Sequence, residues 1–296
     1  MRVWITGGSG FVGRRLAGRL RSDGAEIDGD AHEVDVTDAA AIRSHLAATR
    51  PDAIAHLAGI SFVPDAARDP RRAWRVNYAG TAQLLGACAE HVPDARILVV
   101  TSAMIYGTAE AGAAPFDEDA PLRPSGPYAT TKAAADLMGA AWGRRGLDVV
   151  RLRPFNHTGA GRPDRFVESS FARQLVEMER GDREPELHVG NLDAVRDFLH
   201  VDDVVDAYVR LLAPRGPGGA FNVASGRPTR IGDLLDALVA RSTANPSIQV
   251  DRERWRPTDA NVGTAARLAA ATGWQPARTL EDTLAEILDY WREALG

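Results

Sequence analysis

The segment that most restricts the fold lies near the start of the chain. Thr6-Gly7-Gly8-Ser9-Gly10-Phe11-Val12-Gly13 stands directly between an apolar, strand-like run, Val3 to Thr6, and a helix-like run, Phe11 to Arg21. A strand, a glycine-rich turn and a helix in that order make an anion site, because the first N–H groups of a helix lack partners and its dipole favours negative charge. Gly7 permits the tight turn, Gly10 lets a pyrophosphate approach backbone N–H groups, and Gly13 allows the helix to pack closely on the strand. With Phe11 and Val12 between them, these glycines are the expected cradle of a dinucleotide.

The alternation continues. Apolar runs Ala53 to Leu57, Ile97 to Val100 and Val149 to Leu152 alternate with helical patterns at Asp38 to Arg50, Arg71 to His91 and Tyr128 to Arg145, Asp38 serving as an N-cap. Buried strands joined by crossover helices specify an α/β fold with a doubly wound parallel sheet. After Leu152 the rhythm breaks into a Gly/Pro-rich stretch from Pro154 to Pro163, a helix near Phe166 to Arg180 and a turn-rich Pro214 to Gly219. A strand at Phe221 to Ala224 and helices near Ile231 to Arg241, Ala265 to Thr272 and Leu280 to Leu295 complete the chain. The expected division is a dinucleotide-binding domain over 1–155, to which the chain returns near 195–224, and a smaller α/β domain over 156–194 and 225–296.

With 296 residues the chain buries a sufficient core without staples. Its single cysteine, Cys88, cannot form an internal disulfide or a multi-cysteine metal site, which suits a reducing cytoplasm. The chain enters a strand at once and has no bilayer-length apolar stretch, so a cytoplasmic protein that does not enter a membrane is expected. A net charge of -5 with scattered lysines and arginines leaves no footprint for nucleic acid.

The second strand, Glu26-Ile27-Asp28-Gly29-Asp30, ends about where a cofactor ribose is met. A carboxylate at Asp30 accepts from both ribose hydroxyls and favours NAD; the other reading makes Asp30 a turn residue and leaves NADP open. Asp35, next to Val36, is expected to border the adenine.

Tyr128-Ala129-Thr130-Thr131-Lys132 places a phenol and an ammonium one helical turn apart on one face. The ammonium stabilises the phenolate, so the tyrosine can give or take a proton near neutral pH. Ser102 closes the run Ile97 to Ser102, at the end of a strand, where α/β sheets present ligand-contacting groups; it is placed to hydrogen-bond a substrate carbonyl. Either feature alone is common. Their consistent order behind the glycine turn makes Ser102, Tyr128 and Lys132 the expected catalytic set.

Over essentially its whole length the chain resembles the extended short-chain dehydrogenases/reductases. The resemblance makes Ser102 the family's catalytic Ser/Thr, Tyr128 its acid/base and Lys132 also the holder of the nicotinamide ribose. His56-Leu57-Ala58-Gly59 is similar to the segment that lines the cofactor, implying contacts from Leu57, Ala58 and Gly59, and Asn77 matches the family's helix asparagine. Arg153 to Gly159 and Val189 to Phe198 resemble the GDP-mannose branch. That branch implies a GDP-linked keto-sugar, with Asn156 near the diphosphate, Arg196 and Arg256 gripping it through guanidinium forks, and Met104 beside the sugar.

The departures from this branch bear on the reaction. Where its dehydratases carry acids after the catalytic Ser/Thr, and where its GDP-fucose-forming members carry a cysteine, this chain has Ala103 and Met104, which move no protons. Plain reduction of a keto-sugar with NAD(P)H remains. The alternatives are a UDP- or dTDP-sugar 4-epimerase that retains NAD, and a non-catalytic dinucleotide-binding regulator. Similar enzymes pair through the helices at Arg71 to His91 and Tyr128 to Arg145, so a homodimer is expected.

Overall fold

The computed structural model describes residues 1–28, 34–110, 112–214, 216–251 and 259–296, so Asp30 and Arg256 lie outside the described residues. In chain order it begins β1 (Arg2–Thr6), α1 (Phe11–Ser22), β2 (Glu26–Asp28), α2 (Ala39–Thr49) and β3 (Ala53–His56). Then come α3 (Val63–Arg68) and α4 (Pro70–Ala73), which runs through a π-helical turn, Trp74–Gly80, into α5 (Thr81–His91). β4 (Arg96–Val100), a 3-10 turn (Ala103–Tyr106), α6 (Gly126–Arg144), β5 (Asp148–Pro154) and β6 (Asn156–Thr158) follow. The remainder is α7 (Val167–Glu179), β7 (Glu186–Val189), β8 (Val195–His200), α8 (Val201–Leu212), β9 (Gly219–Val223), β10 (Pro228–Arg230), α9 (Ile231–Val239), β11 (Ser247–Val250), β12 (Ala260–Asn261), α10 (Ala266–Thr272) and α11 (Leu280–Leu295).

Six parallel strands form the large sheet in the order β2-β1-β3-β4-β5-β9. The chain leaves β1 toward one edge and returns on its other side with β3, which opens a crevice at the carboxyl ends of these two strands. Thr6 lies opposite His56 and His56 opposite Val99, so the loops after β1, β3 and β4 meet at that crevice. On one face Leu16 and Leu20 of α1 and Val204 and Leu211 of α8 cover Val3, Ile5 and Leu98. On the other, Ile42 and Leu46 of α2 and Leu84 and Leu85 of α5 cover Trp4, Ile54 and Ile97. Burying both faces is what makes these strands continuously apolar. Asp38 caps α2 as expected, its carboxylate accepting from the N–H groups of Ala40 and Ala41.

The smaller unit holds β8 between β10 and β12, with β6 also on β8, and a separate β7–β11 pair. Its core joins Phe171 and Leu175 of α7, Leu235 of α9 and Leu284 and Ile287 of α11. Two assignments differ from the expected division. Residues 195–200 form β8 in the smaller sheet, and the chain rejoins the large sheet only with α8 and β9. Within 225–296, Leu268 of α10 and the following Trp274 pack into the large sheet's core, with the Trp274 indole donating to the Asp203 carbonyl at 3.0 Å. A seven-residue helix with one apolar side carries no local mark of which sheet it covers, so tertiary contact decides.

Candidate active site

The crevice widens into a cleft of about 770 Å³. The turn after β1 supplies Gly7, Gly10, Phe11, Val12 and Gly13, the approach to α2 supplies Asp35 and Val36, and the end of β3 supplies Leu57, Ala58 and Gly59. Ser102 and Met104 enter after β4, Tyr128 and Lys132 from α6, and Asn156 from β6.

The glycine turn is built for close approach. Gly7 sits at φ 71, and a Cβ there would lie 2.8 Å from the Ala58 nitrogen; one on Gly13 would lie 2.7 Å from the Gly8 oxygen. α1 has Gly10 as its N-cap, with no side-chain cap and no acid in its first turn, leaving its amide donors and dipole to an anion. This donor set fits a dinucleotide pyrophosphate. The Asp35 carboxylate accepts from the Thr37 N–H at 2.8 Å, which holds its pKa below the ordinary value.

At the reaction end, Ser102, Tyr128 and Lys132 are all buried. The Ser102 Oγ accepts from the Met104 N–H at 3.2 Å. Burial pushes the Tyr128 phenol up, while the nearby Ser102 hydroxyl and the charge of Arg162 pull it down. Lys132 Nζ donates to the Val100 carbonyl at 3.0 Å, and burial lowers its pKa to about 8. Ala103, by contrast, packs into a core with Ile105, Tyr106 and Phe155.

Behind this set runs a fully paired polar chain. The Thr81 hydroxyl donates to the Asn77 carbonyl at 2.8 Å, so His56 Nε2–H donates to Thr81 Oγ1 at 2.9 Å and His56 Nδ1 accepts from Thr6 Oγ1 at 2.8 Å. Burial, with the Lys132 charge, pushes His56 down to about 3, and the ring stays neutral. Asn77, which the resemblance makes the family's helix asparagine and a cofactor-side residue, is not among the residues lining the cleft. Within the π-helical turn its amide spans Ile60, accepting from the N–H at 2.8 Å and donating to the carbonyl at 3.2 Å, and it also donates to Thr131 at 3.1 Å. These bonds fix the loop after β3 against α6. Arg196 is likewise outside the cleft lining: its guanidinium pairs with the Asp259 carboxylate at 2.7 Å and donates to the Asp259 carbonyl at 3.1 Å.

Sequence reasoning missed Arg162, in the Gly/Pro-rich stretch after β6. Its guanidinium lies 3.5 Å from the Phe166 ring centre and 5.1 Å from that of Phe11, and Glu168 is 3.7 Å from its Nε. That Nε is buried and has no hydrogen-bond partner among the described residues. The Arg162 charge acts on Tyr128 and, together with burial, holds His157 down at about 4. The available signal was a cation a few residues beyond Asn156 in a segment too rich in turns to be a helix. Across the cleft mouth Arg165 pairs with Asp65 at 2.8 Å, and the Phe62 and Phe166 rings meet edge to face at 5.4 Å.

The sequence profile described as GDP-mannose 4,6 dehydratase matches residues 28–287. A GDP-6-deoxy-D-mannose reductase from Pseudomonas aeruginosa is 37% identical over 98% of this chain and 97% of its own. A UDP-glucose 4-epimerase from Mycolicibacterium smegmatis is 30% identical over 99% of each chain. The solved structure of RMD from Pseudomonas aeruginosa complexed with NADPH superposes with a TM-score of 0.92 at 36% identity, covering 99% of both chains. Profile, relatives and fold agree with one another: the chain belongs to the GDP-mannose 4,6 dehydratase family, within the extended short-chain dehydrogenases/reductases.

Proposed function

We propose that the protein reduces a nucleotide-linked 4-keto-6-deoxyhexose with NAD(P)H, and specifically GDP-4-keto-6-deoxy-D-mannose to GDP-D-rhamnose. The observation that carries this reading is a complete Ser102, Tyr128, Lys132 set in a cleft where Ala103 and Met104 bring no proton-transfer group. The relative named GDP-6-deoxy-D-mannose reductase supports the nucleotide and the sugar, and the neighbour complexed with NADPH supports the cofactor.

Bound NAD(P)H supplies a hydride to the sugar's C4. Ser102 donates a hydrogen bond to the keto oxygen and polarises it, and Tyr128 delivers the proton that makes it an alcohol. The phenolate left behind is favoured by the Lys132 and Arg162 charges. Lys132 also holds the nicotinamide ribose, and Asn156, Arg196 and Arg256 serve the diphosphate. For this Arg196 shares its guanidinium between Asp259 and a phosphate. The same reading makes the protein a cytoplasmic homodimer paired through α5 and α6, where Leu137 is 59% exposed and Trp74, just before α5, 40%. No described helix is long and apolar enough to cross a membrane.

The test is stoichiometry. Incubated with GDP-4-keto-6-deoxy-D-mannose, the protein should consume one reduced nicotinamide per sugar converted; conversion without net consumption would instead make it an epimerase.

A further inference from the structure

Tyr208 lies on α8, within the apolar stripe Val204, Val205, Tyr208, Leu211 and Leu212 that seals the helix to the large sheet. Leucine or phenylalanine would satisfy such a position. The tyrosine is only 1% exposed, yet its hydroxyl has no hydrogen-bond partner among the described residues. A buried hydroxyl without a partner is destabilising, and native proteins rarely retain one without a use.

The position of the residue indicates the use. Tyr208 lines the cleft. It belongs to the core cluster against which Val12 of the glycine turn, Leu57 after β3 and Val100 at the end of β4 also pack. It therefore sits under the cleft floor between the pyrophosphate turn and the reaction centre, where the nicotinamide half of a dinucleotide would span. Burial and the neighbouring Tyr128 push its pKa up, so the phenol keeps its proton and offers a donor at working pH.

We infer that the Tyr208 hydroxyl is a cofactor contact, a hydrogen-bond donor left open in the free protein for the nicotinamide half of NAD(P)H. The inference rests on the dinucleotide reading of the cleft and adds to it a contact from the helix on the far side of the sheet from Tyr128.

The Tyr208→Phe substitution removes only the hydroxyl, and three kinds of measurement on the full chain test it. Without nucleotide, the variant should melt at or above the temperature of the unmutated protein, since an unpaired buried group is gone. Its Kd for NADPH and NADH, read by fluorescence titration, should rise about five- to tenfold, the size of one hydrogen bond. Its Kd for ADP-ribose and for 2'-phospho-ADP-ribose, which lack the nicotinamide, should stay within about twofold. Unchanged NAD(P)H affinity, a lower melting temperature without nucleotide, or an equal loss for the ADP-ribose compounds would each overturn the assignment. An unmutated protein that binds no NAD(P)H would overturn the cofactor reading as a whole; normal binding by both proteins would overturn only the role of Tyr208.

Discussion

Lys132 Nζ donates to the carbonyl oxygen of Val100 at 3.0 Å, tying the ammonium on α6 to the last residue of β4. The contact holds the charge at the cleft, and its burial lowers the pKa from 10.5 to about 8. Between about pH 8 and 10.5 the unfolded chain therefore carries a proton that the folded chain does not, and stability from this group rises with pH across that window. The Lys132→Met variant loses this rise. Thermal melts without nucleotide should show wild type gaining on K132M as pH climbs from 8 to 10.5, and K132M should also weaken both cofactor binding and turnover. A pH-independent gap between the two would contradict a buried, titrating lysine.

Arg162 bears on Tyr128 through charge. Replacing it with methionine removes a cation that lowers the phenol's pKa, so that pKa should rise. Reduction needs the protonated phenol and fails as pH rises through its pKa. The falling limb of kcat/KM for reduction should therefore move to higher pH in R162M and return toward wild type in Arg162→Lys. A drop in rate with no movement of the limb would leave Arg162 a merely structural role.

His56 is neutral in the folded protein, with a pKa of about 3 against 6.5 unfolded. Below pH 6.5 the unfolded chain takes up a proton that the folded one refuses, so stability present above 6.5 is lost as pH falls toward 3. The loss is about 1.4 kcal/mol per pH unit from this one group. Denaturant titrations between pH 6.5 and 4 should show a shallower pH dependence in His56→Asn than in wild type; equal slopes would mean that the ring titrates normally.

Asp136 is fully buried on α6, with its carboxylate 2.8 Å from both Arg151 and Arg153. Asp136→Ala leaves two guanidinium groups without their counter-charge, and breaking a buried pair in this way costs about 3–5 kcal/mol. Chemical denaturation should register a loss of that order, with Tyr106 and Asn222, bonded to each other at 2.7 Å and to Arg153 through the Tyr106 hydroxyl, loosened as well. A loss under about 1 kcal/mol would mean that the arginines find other partners.

What could be read in advance follows from how local each signal is. The glycine turn and Ser102 sit at strand ends, and Tyr128 and Lys132 share one helix face, so each carries a local signal, and the parallel βαβ order brings them to one cleft. Asn77 was recognisable as a special residue, but its direction depends on a π-helical turn that no spacing announces. Arg196 matched a phosphate-binding string, yet its partner Asp259 is far away in sequence and reaches it only through the pairing of β12 with β8. Arg162 meets Phe11 by the folding of the loop after β6 over the start of α1, a contact invisible to any window of sequence. Tyr208 lies on α8, a helix outside the periodic runs that the sequence marks, and only the surroundings of its hydroxyl distinguish it.

The most direct measurement of the central claim presents the enzyme with GDP-, dTDP- and UDP-linked 4-keto-6-deoxy sugars, follows NADH and NADPH absorbance, and determines the product configuration at C4 by NMR. The account predicts turnover with GDP-4-keto-6-deoxy-D-mannose, GDP-D-rhamnose as product, and a loss of about a hundredfold or more in Tyr128→Phe, the usual contribution of positioned proton transfer, with cofactor binding intact. Activity confined to the dTDP or UDP sugars, or turnover that survives Tyr128→Phe, would contradict it.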